Sequence, residues 1–240
     1  MFADISPRYD FLNHLLSLNA DKAWRRRAVR ELSLSPGARV LDVCTGTADL
    51  ALELSRALRG LGGAGWVVGT DFTPEMTRLG EAKRQRQGAR NLALAIADTL
   101  HLPFSDGTFD AATVAFGIRN VSELKRGVDE MFRVLKPGGK AAVLEFSTVK
   151  CSALRRTFDF YFHRVLPRIG QWVSRSRRGS EAYSYLPASV SEFPTPPGFS
   201  ELLKERGFTA VRSQKLTFGV CALYLARRPL STSLPLSTCG

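Results

Sequence analysis

Two rhythms of apolar positions alternate along the chain. In residues 11–34, Phe11, Leu15, Leu18, Trp24, Ala28 and Leu32 fall on helical spacing with a break near Asn19, which predicts two short helices. After Pro36-Gly37 the run Arg39-Val40-Leu41-Asp42-Val43 is β-rich, and it enters a Thr/Gly turn at Cys44 to Thr47. Leu50, Leu54 and Leu58 share one helical face, so a helix starts directly behind that turn. The unit then repeats, with a strand over Gly65 to Asp71, a helix over Pro74 to Gln87 and a strand over Leu92 to Asp98. Phe109 to Gly117 predicts another strand, and Leu124, Val128, Met131 and Leu135 a helix that stops at Lys136-Pro137-Gly138-Gly139. Ala141 to Phe146 is a fifth strand. Strands covered on both faces read as nearly unbroken apolar runs, so the pattern predicts an α/β fold with a doubly wound, mostly parallel sheet.

From Ser147 to Gly198 the rhythm breaks into an Arg- and aromatic-rich stretch that ends in FPTPPG, read as a helical insertion over residues 148–198. A helix over Phe199 to Arg206 leads to two β-type runs, Phe208 to Thr217 and Val220 to Arg227. Joined at Phe218-Gly219, they predict an antiparallel hairpin at the sheet edge. The expected organisation is a single domain over residues 1–228, with an N-terminal helical cap at 1–35 and a Pro/Ser/Thr-rich, disordered tail at 229–240.

Composition narrows the class. The chain has 240 residues, 44% of them apolar, and 34 Lys+Arg against 22 Asp+Glu give a formal charge of +12. One globular domain with a basic bias fits; collagen-like, low-complexity and disulfide-scaffold proteins are excluded. Cys44, Cys151, Cys221 and Cys239 form no C-x-x-C pair, so neither a metal cluster nor a disulfide framework is expected, and a reducing cytosol fits best. MFADISPRYD has no signal-peptide character, and no apolar run approaches the ~18 residues of a membrane span. The expected location is cytoplasmic, peripheral to the inner face of the membrane.

Open parallel sheets bind ligands at the carboxyl ends of their strands. The first such turn, Asp42-Val43-Cys44-Thr45-Gly46-Thr47-Ala48-Asp49, holds one glycine, Gly46, where a dinucleotide fingerprint needs G-x-G-x-x-G. NAD and FAD are disfavoured. Asp71 ends the second strand, where a carboxylate can accept both ribose hydroxyls, and Asp98 ends the third, where one can receive the exocyclic amine of a purine. That set suits S-adenosylmethionine, which has a ribose and an adenine but no phosphate. The competing reading is that such Asp residues are helix N-caps.

SPRYDFLNHLLSL, VLDVCTGTADL, GTDFTPEM, FGIRNVSE, MFRVLKPGGK, VLEFS, YFHRVLPRIG, YSYLPAS and TFGVCALYLARR together resemble the ubiquinone/menaquinone biosynthesis C-methyltransferase family, from about Phe2 to Arg228. The resemblance implies a class I methyltransferase that moves a methyl group from S-adenosylmethionine to a ring carbon of a polyprenylated quinol, with demethylmenaquinol as the first expectation and a ubiquinone precursor as a further one. It implies cofactor contacts at Thr47, Asp71, Asp98 and Thr99, beside Asp42 and Gly46 of the turn, and it puts Tyr9 and Asp10 in a motif that closes over the substrate. Two departures stand out. The family's G-G-T-G-D is here Thr45-Gly46-Thr47-Ala48-Asp49, and Ala115 stands where a cofactor-contacting Ser is frequent.

A quinol carbon becomes a good nucleophile once its ring hydroxyl ionises, and a phenol of pKa near ~10 is ionised only about one part in a thousand at pH 7. Arg119 and Asn120, in the loop after the fourth strand, are the candidate catalytic residues, a nearby cation being able to lower such a pKa by roughly 1 to 3 units. The bland alternatives are a solvated loop charge for Arg119 and a helix cap for Asn120. Of His14, His101 and His163, the last lies in the insertion and is the candidate on the substrate side, as a base near neutral pH, against the competing reading of a surface or packing role. Between Lys150 and Arg178 eight basic residues face Asp159 alone, while Leu154, Phe158, Tyr161, Val165, Ile169 and Trp172 follow helical spacing. This reads as a surface for anionic membrane or a lid over an apolar substrate, the competing reading being an apolar face packed on the sheet with its charges solvated. Nucleic acid is not expected as a partner. An RNA methyltransferase and a nonenzymatic adenosyl-binding scaffold remain the rival classes.

Overall fold

The computed structural model describes residues 17, 19–147, 189–190 and 192–230. Tyr9, Asp10, His14, His163, the basic segment from Lys150 to Arg178 and positions 231–240 lie outside the described residues.

Among the described residues seven strands form one sheet in the order β3-β2-β1-β4-β5-β7-β6. They are β1 (Arg39–Val43), β2 (Trp66–Asp71), β3 (Leu92–Ile96), β4 (Phe109–Ala115), β5 (Leu135–Phe146), β6 (Thr209–Leu216) and β7 (Cys221–Arg227). The helices are α1 (Ala20–Leu32), α2 (Asp49–Gly60), α3 (Pro74–Arg86), α4 (Leu124–Val134) and α5 (Pro196–Glu205). β1 pairs in parallel with both β2 and β4. The chain moves outward from β1 to β3, then returns to β4 on the other side, so the strand order reverses between β1 and β4. That switch point opens a crevice at the carboxyl ends of the strands.

Side chains of successive strand residues point to opposite faces. Val40 joins Trp24, Leu32, Leu54 and Leu58 in one core, whereas Leu41 and Val43 join Val128, Met131, Phe199 and Tyr224 in the other. Each central strand is therefore buried on both faces, which explains its uninterrupted apolar run.

β6 and β7 form an antiparallel hairpin, with β7 between β5 and the outer strand β6. One boundary differs from expectation: Lys136-Pro137-Gly138-Gly139 is not a break between helix and strand but part of β5, which begins at Leu135. Leu135 pairs with Phe109, and the register shifts before Lys140 pairs with Ala111. Gly138 adopts φ 78° there and donates its N–H to the Arg228 carbonyl at 2.9 Å. The positive φ and the missing Pro137 donor are absorbed by a bulge instead of ending the strand.

Candidate active site

A cavity of about 330 Å³ opens over the carboxyl ends of β1 to β4. Gly46, Asp71, Asp98, Thr99 and Asn120 line it, together with the apolar surfaces of Phe72, Met76, Leu100 and Val121. β2 ends at Asp71, while β3 and β4 stop short of Asp98 and Gly117, which leaves both of these in loops at the rim. A Cβ on Gly117 would lie 2.4 Å from the Cβ of Cys44, so glycine is required for the exits of β1 and β4 to approach this closely.

The three strand-end carboxylates have different surroundings, and none occupies an N-cap. Ala48 and Thr73 are the N-caps of α2 and α3. Asp71 Oδ2 accepts the Gly46 N–H at 2.8 Å and Oδ1 accepts the Thr73 N–H at 2.9 Å. Asp98 Oδ1 accepts the Leu100 N–H at 2.9 Å, and its Oδ2 lies 3.5 Å from His101 Nδ1. A carboxylate offers about four acceptor sites, so both residues keep lone pairs for a ligand in the cavity. Asp42 instead lies beneath the turn and is not part of the cavity lining. Its Oδ2 accepts the Thr45 hydroxyl at 2.6 Å and its Oδ1 the Thr113 hydroxyl at 2.7 Å. Burial pushes Asp42 up to about 6, against the lowering effect of the two hydroxyls. Its position one residue before the end of β1 puts it in register with both Gly69 and Thr113, inside the sheet.

The turn itself alternates left-handed residues: Cys44 at φ 49°, Gly46 at 56° and Ala48 at 68°. Thr47 is also outside the cavity lining, where its hydroxyl accepts from Lys83 Nζ at 2.9 Å. Lys83 bonds Asp49 as well, at 2.6 Å, and so ties α3 to the turn. Arg25 of α1 pairs with Asp21 and approaches Asp49 at 3.6 Å, which connects the cap helix to the same turn.

Beyond Gly117 the chain forms a short 3₁₀ turn, Ile118–Asn120. Asn120 faces the cavity, whereas the Arg119 side chain is 7% exposed and runs alongside it. Arg119 Nη1 donates to the Phe116 carbonyl at 2.7 Å and to Oε1 of Glu145. Glu145, at the carboxyl end of β5, is completely buried, and desolvation raises its pKa above the usual carboxylate range despite the adjacent guanidinium. The Arg119 guanidinium carbon lies 5.4 Å from the Phe146 ring centroid, and Phe146 packs against Phe116 and Trp24. Trp24 Nε1 donates to the Thr217 hydroxyl at 2.8 Å, so α1 holds this aromatic cluster against the β6–β7 turn.

Sequence reasoning missed Glu145, Lys83 and the apolar wall of Phe72 and Met76. Glu145 had a signal, since it is the one charged residue in the run Ala141 to Phe146. Lys83 had none, because α3 carries Lys83, Arg84 and Arg86 together in its last turn.

This fold, with its cavity over the switch point and carboxylates behind the second and third strands, is that of the class I S-adenosylmethionine-dependent methyltransferases. A S-adenosylmethionine-dependent methyltransferase from Aquifex aeolicus has a similar architecture, with a TM-score of 0.58 at 20% identity over 85% of this chain and 88% of that one. The [4+2]-cyclase SpnF aligns at a TM-score of 0.71 and 17% identity over 96% and 94%. Since one of these is a cyclase, the likeness fixes the architecture and leaves the reaction open. Sequence is more specific. The profile of the ubiE/COQ5 methyltransferase family matches residues 1–228, and the chain belongs to that family. It is 45% identical to the ubiquinone/menaquinone biosynthesis C-methyltransferase UbiE of a Geobacter species over 95% of this chain and 94% of that one. It is also 45% identical to the demethylmenaquinone methyltransferase of Thermus thermophilus, over 95% of this chain and all of that one. Family and fold imply S-adenosylmethionine as cofactor, and the residues fit it: two carboxylates with spare acceptors, an apolar wall and a cavity of small-molecule size.

Proposed function

We propose that the protein methylates a ring carbon of a polyprenylated quinol, converting demethylmenaquinol to menaquinol. The observation that carries this reading is the match, end to end, with the Thermus thermophilus enzyme of that name. When bound, S-adenosylmethionine supplies a methyl group on an electrophilic sulfonium. Asp71 accepts the ribose hydroxyls, and Asp98 with Thr99 holds the adenine. Gly46 lets the turn approach the ligand, while Asp42 and Thr47 act by fixing that turn. Asn120 orients the ring from the cavity wall. Arg119 stands behind it as the cation against which the quinolate forms. Tyr9, Asp10 and His163 are assigned to the substrate side by family resemblance.

Among the described residues no helix is long and apolar enough to cross a membrane. Access to a bilayer-dwelling quinol is assigned to the basic stretch from Lys150 to Arg178, where each basic side chain near an anionic surface contributes ~1 kcal/mol, screened by salt. Vesicle co-sedimentation should therefore weaken steeply with ionic strength; binding that survives neutralisation of these Arg residues would remove the assignment.

The test of function is methyl transfer from labelled cofactor, run in parallel on demethylmenaquinol, a benzoquinol precursor of ubiquinone and bulk RNA. Label in the naphthoquinol supports the proposal. Label in RNA alone, or in no acceptor, overturns it.

A further inference from the structure

We propose that Glu145 is the group that takes up the quinol hydroxyl proton, and that this transfer leaves the Arg119 guanidinium uncompensated beside the quinolate. The inference rests on the quinol reading above and deepens it by naming the proton acceptor. Among the buried polar atoms without a hydrogen-bond partner are Glu145 Oε2 at the carboxyl end of β5, Arg119 Nε beyond β4 and the Tyr224 hydroxyl in the middle of β7. Glu145 Oε1 is fully engaged, by Arg119 Nη1 and by the Phe146 N–H at 2.9 Å. Tyr224 lies opposite Val143, two residues before Glu145, so its side chain shares a sheet face with the carboxylate.

Native interiors rarely leave such groups unmatched, and a buried ion pair is weak evidence for stability because an apolar pair of similar volume serves as well or better. The charges of Arg119 and Glu145 therefore call for a chemical explanation. Arg119 alone does not provide one, since its positive charge is matched by the carboxylate it bonds. Proton transfer resolves this. Before it, the site holds a carboxylate, a guanidinium and a neutral quinol; after it, a neutral carboxylic acid, the same guanidinium and a quinolate. The total charge of the buried site is unchanged, so no ion has to be created in an apolar setting without a partner.

The quinol O–H bond breaks and its proton reaches Oε2 through one bridging water, since Glu145 is not part of the cavity lining and does not meet the quinol directly. The ring carbon forms its bond to the methyl group as the methyl–sulfur bond breaks, and the electron pair stays on sulfur. The displaced ring C–H proton leaves to water, and Glu145 returns its proton to the ring oxygen. One proton is released overall and the carboxylate is regenerated. Burial favours the role by raising the proton affinity of Glu145. The titratable groups that share its surroundings are Arg119 after β4, Cys221 and Tyr224 on β7 and Cys44 at the end of β1; burial pushes both thiols and the phenol up, so all three are neutral near pH 7.

The test is Glu145→Gln, whose amide oxygen can still accept from Arg119 but whose side chain cannot take a proton. Single-turnover methylation of demethylmenaquinol at pH 7 should fall roughly 100-fold or more, the scale of general-base catalysis. Cofactor affinity by calorimetry should stay close to wild type, while the thermal midpoint falls because the buried Arg119 guanidinium loses its counterion. The deficit should shrink as pH rises, and it should shrink with halogenated naphthoquinols, whose hydroxyls are more acidic. Glu145→Asp should recover part of the rate. Parallel pH curves, a deficit independent of quinol acidity, or a loss confined to cofactor binding would each overturn the proposal. Should Glu145→Gln fail to fold, the dependence on quinol acidity is measured in Glu145→Asp against wild type, and equal slopes overturn it. If the wild type methylates no quinol, the functional reading falls and takes this inference with it. If the wild type is active and Glu145→Gln matches it, only the inference falls.

Discussion

The carboxylates behind β2 and β3 and the carboxylate at the end of β5 are the same chemical group under opposite conditions. Asp71 and Asp98 are held by backbone N–H groups, of Gly46 in the first turn and of Thr73 and Leu100 in their own loops, and border an open cavity. Glu145 is held by another side chain, inside a wall of aromatic rings. On the nucleoside side the backbone supplies the order and the carboxylates are free to meet a ligand. On the β4–β5 side each charge depends on the other for its stability. Substitutions should therefore lose function without much stability on the first side, and lose both on the second.

The sharpest way to break this contrast is Arg119→Met, which leaves Glu145 buried and unpaired. Breaking a buried ion pair from one side costs about 3–5 kcal/mol, measurable by chemical denaturation at pH 7. Turnover should fall by roughly 10- to 1000-fold, the effect of a phenol pKa moved by 1 to 3 units, with little change in cofactor affinity. Adding Glu145→Leu should restore most of the stability and none of the activity. A single Arg119→Met variant as stable as wild type would show that the two charges do not depend on one another.

Asp42 extends the contrast into pH. Its pKa is about 6 in the fold, against 3.8 as the ordinary value. Between these values the folded chain binds more protons than the unfolded one, so stability declines as pH rises from 4 to 6. The difference corresponds to about 3 kcal/mol, all of it lost by pH 7. Asp42→Asn should flatten the decline, because Thr45 and Thr113 can rotate their hydroxyls to suit an amide. Denaturation curves at pH 4, 5, 6 and 7 decide this, and an unchanged slope in the variant would remove Asp42 as the cause.

On the nucleoside side, Asp71→Ala should weaken cofactor binding by roughly ten- to a hundredfold, or about 1.5–3 kcal/mol for the loss of a charged acceptor. Calorimetry on the folded variant is the measurement, and unchanged affinity defeats the ribose assignment. The smallest effect belongs to Ala48→Gly. A left-handed non-glycine residue costs about 1–2 kcal/mol, while glycine loses roughly 0.5–1 kcal/mol through backbone entropy. The net change should stay within about 1 kcal/mol, so a large shift in thermal midpoint would mean that the Ala48 methyl packs more productively than its strain suggests.

The architecture was legible because its central strands are buried on two faces and so announce themselves as apolar runs. The helix stops before the KPGG segment, as its spacing predicts, but the early start of β5 was not legible there because proline and glycine carry the same signature at a strand bulge as in a loop. At the site, Asp71 and Asp98 could be found from their places at strand ends. Asp42 looked identical, yet its position one residue earlier turns it into the sheet, which only the pairing register with Gly69 and Thr113 reveals. The departure at Thr45 also acquires a reason there, since its hydroxyl satisfies the carboxylate that burial isolates. The tie between Arg119 and Glu145 was invisible for a similar cause. The two are 26 positions apart and meet only because β4 and β5 lie side by side.

The indole of Trp24 gives this enzyme an optical handle on its own chemistry. Trp24 is 4% exposed and packed on the rings of Phe116 and Phe146, one of which lies against the Arg119 guanidinium. Trp66, at the far end of the sheet, is 42% exposed. An aqueous quencher such as iodide reaches Trp66 and not Trp24, so in a Trp66→Phe, Trp172→Phe background the remaining emission comes from the wall beside the ion pair. Its wavelength and lifetime then follow the polarity of that wall in real time, and a stopped-flow fluorimeter can watch a quinol arrive without any label on it.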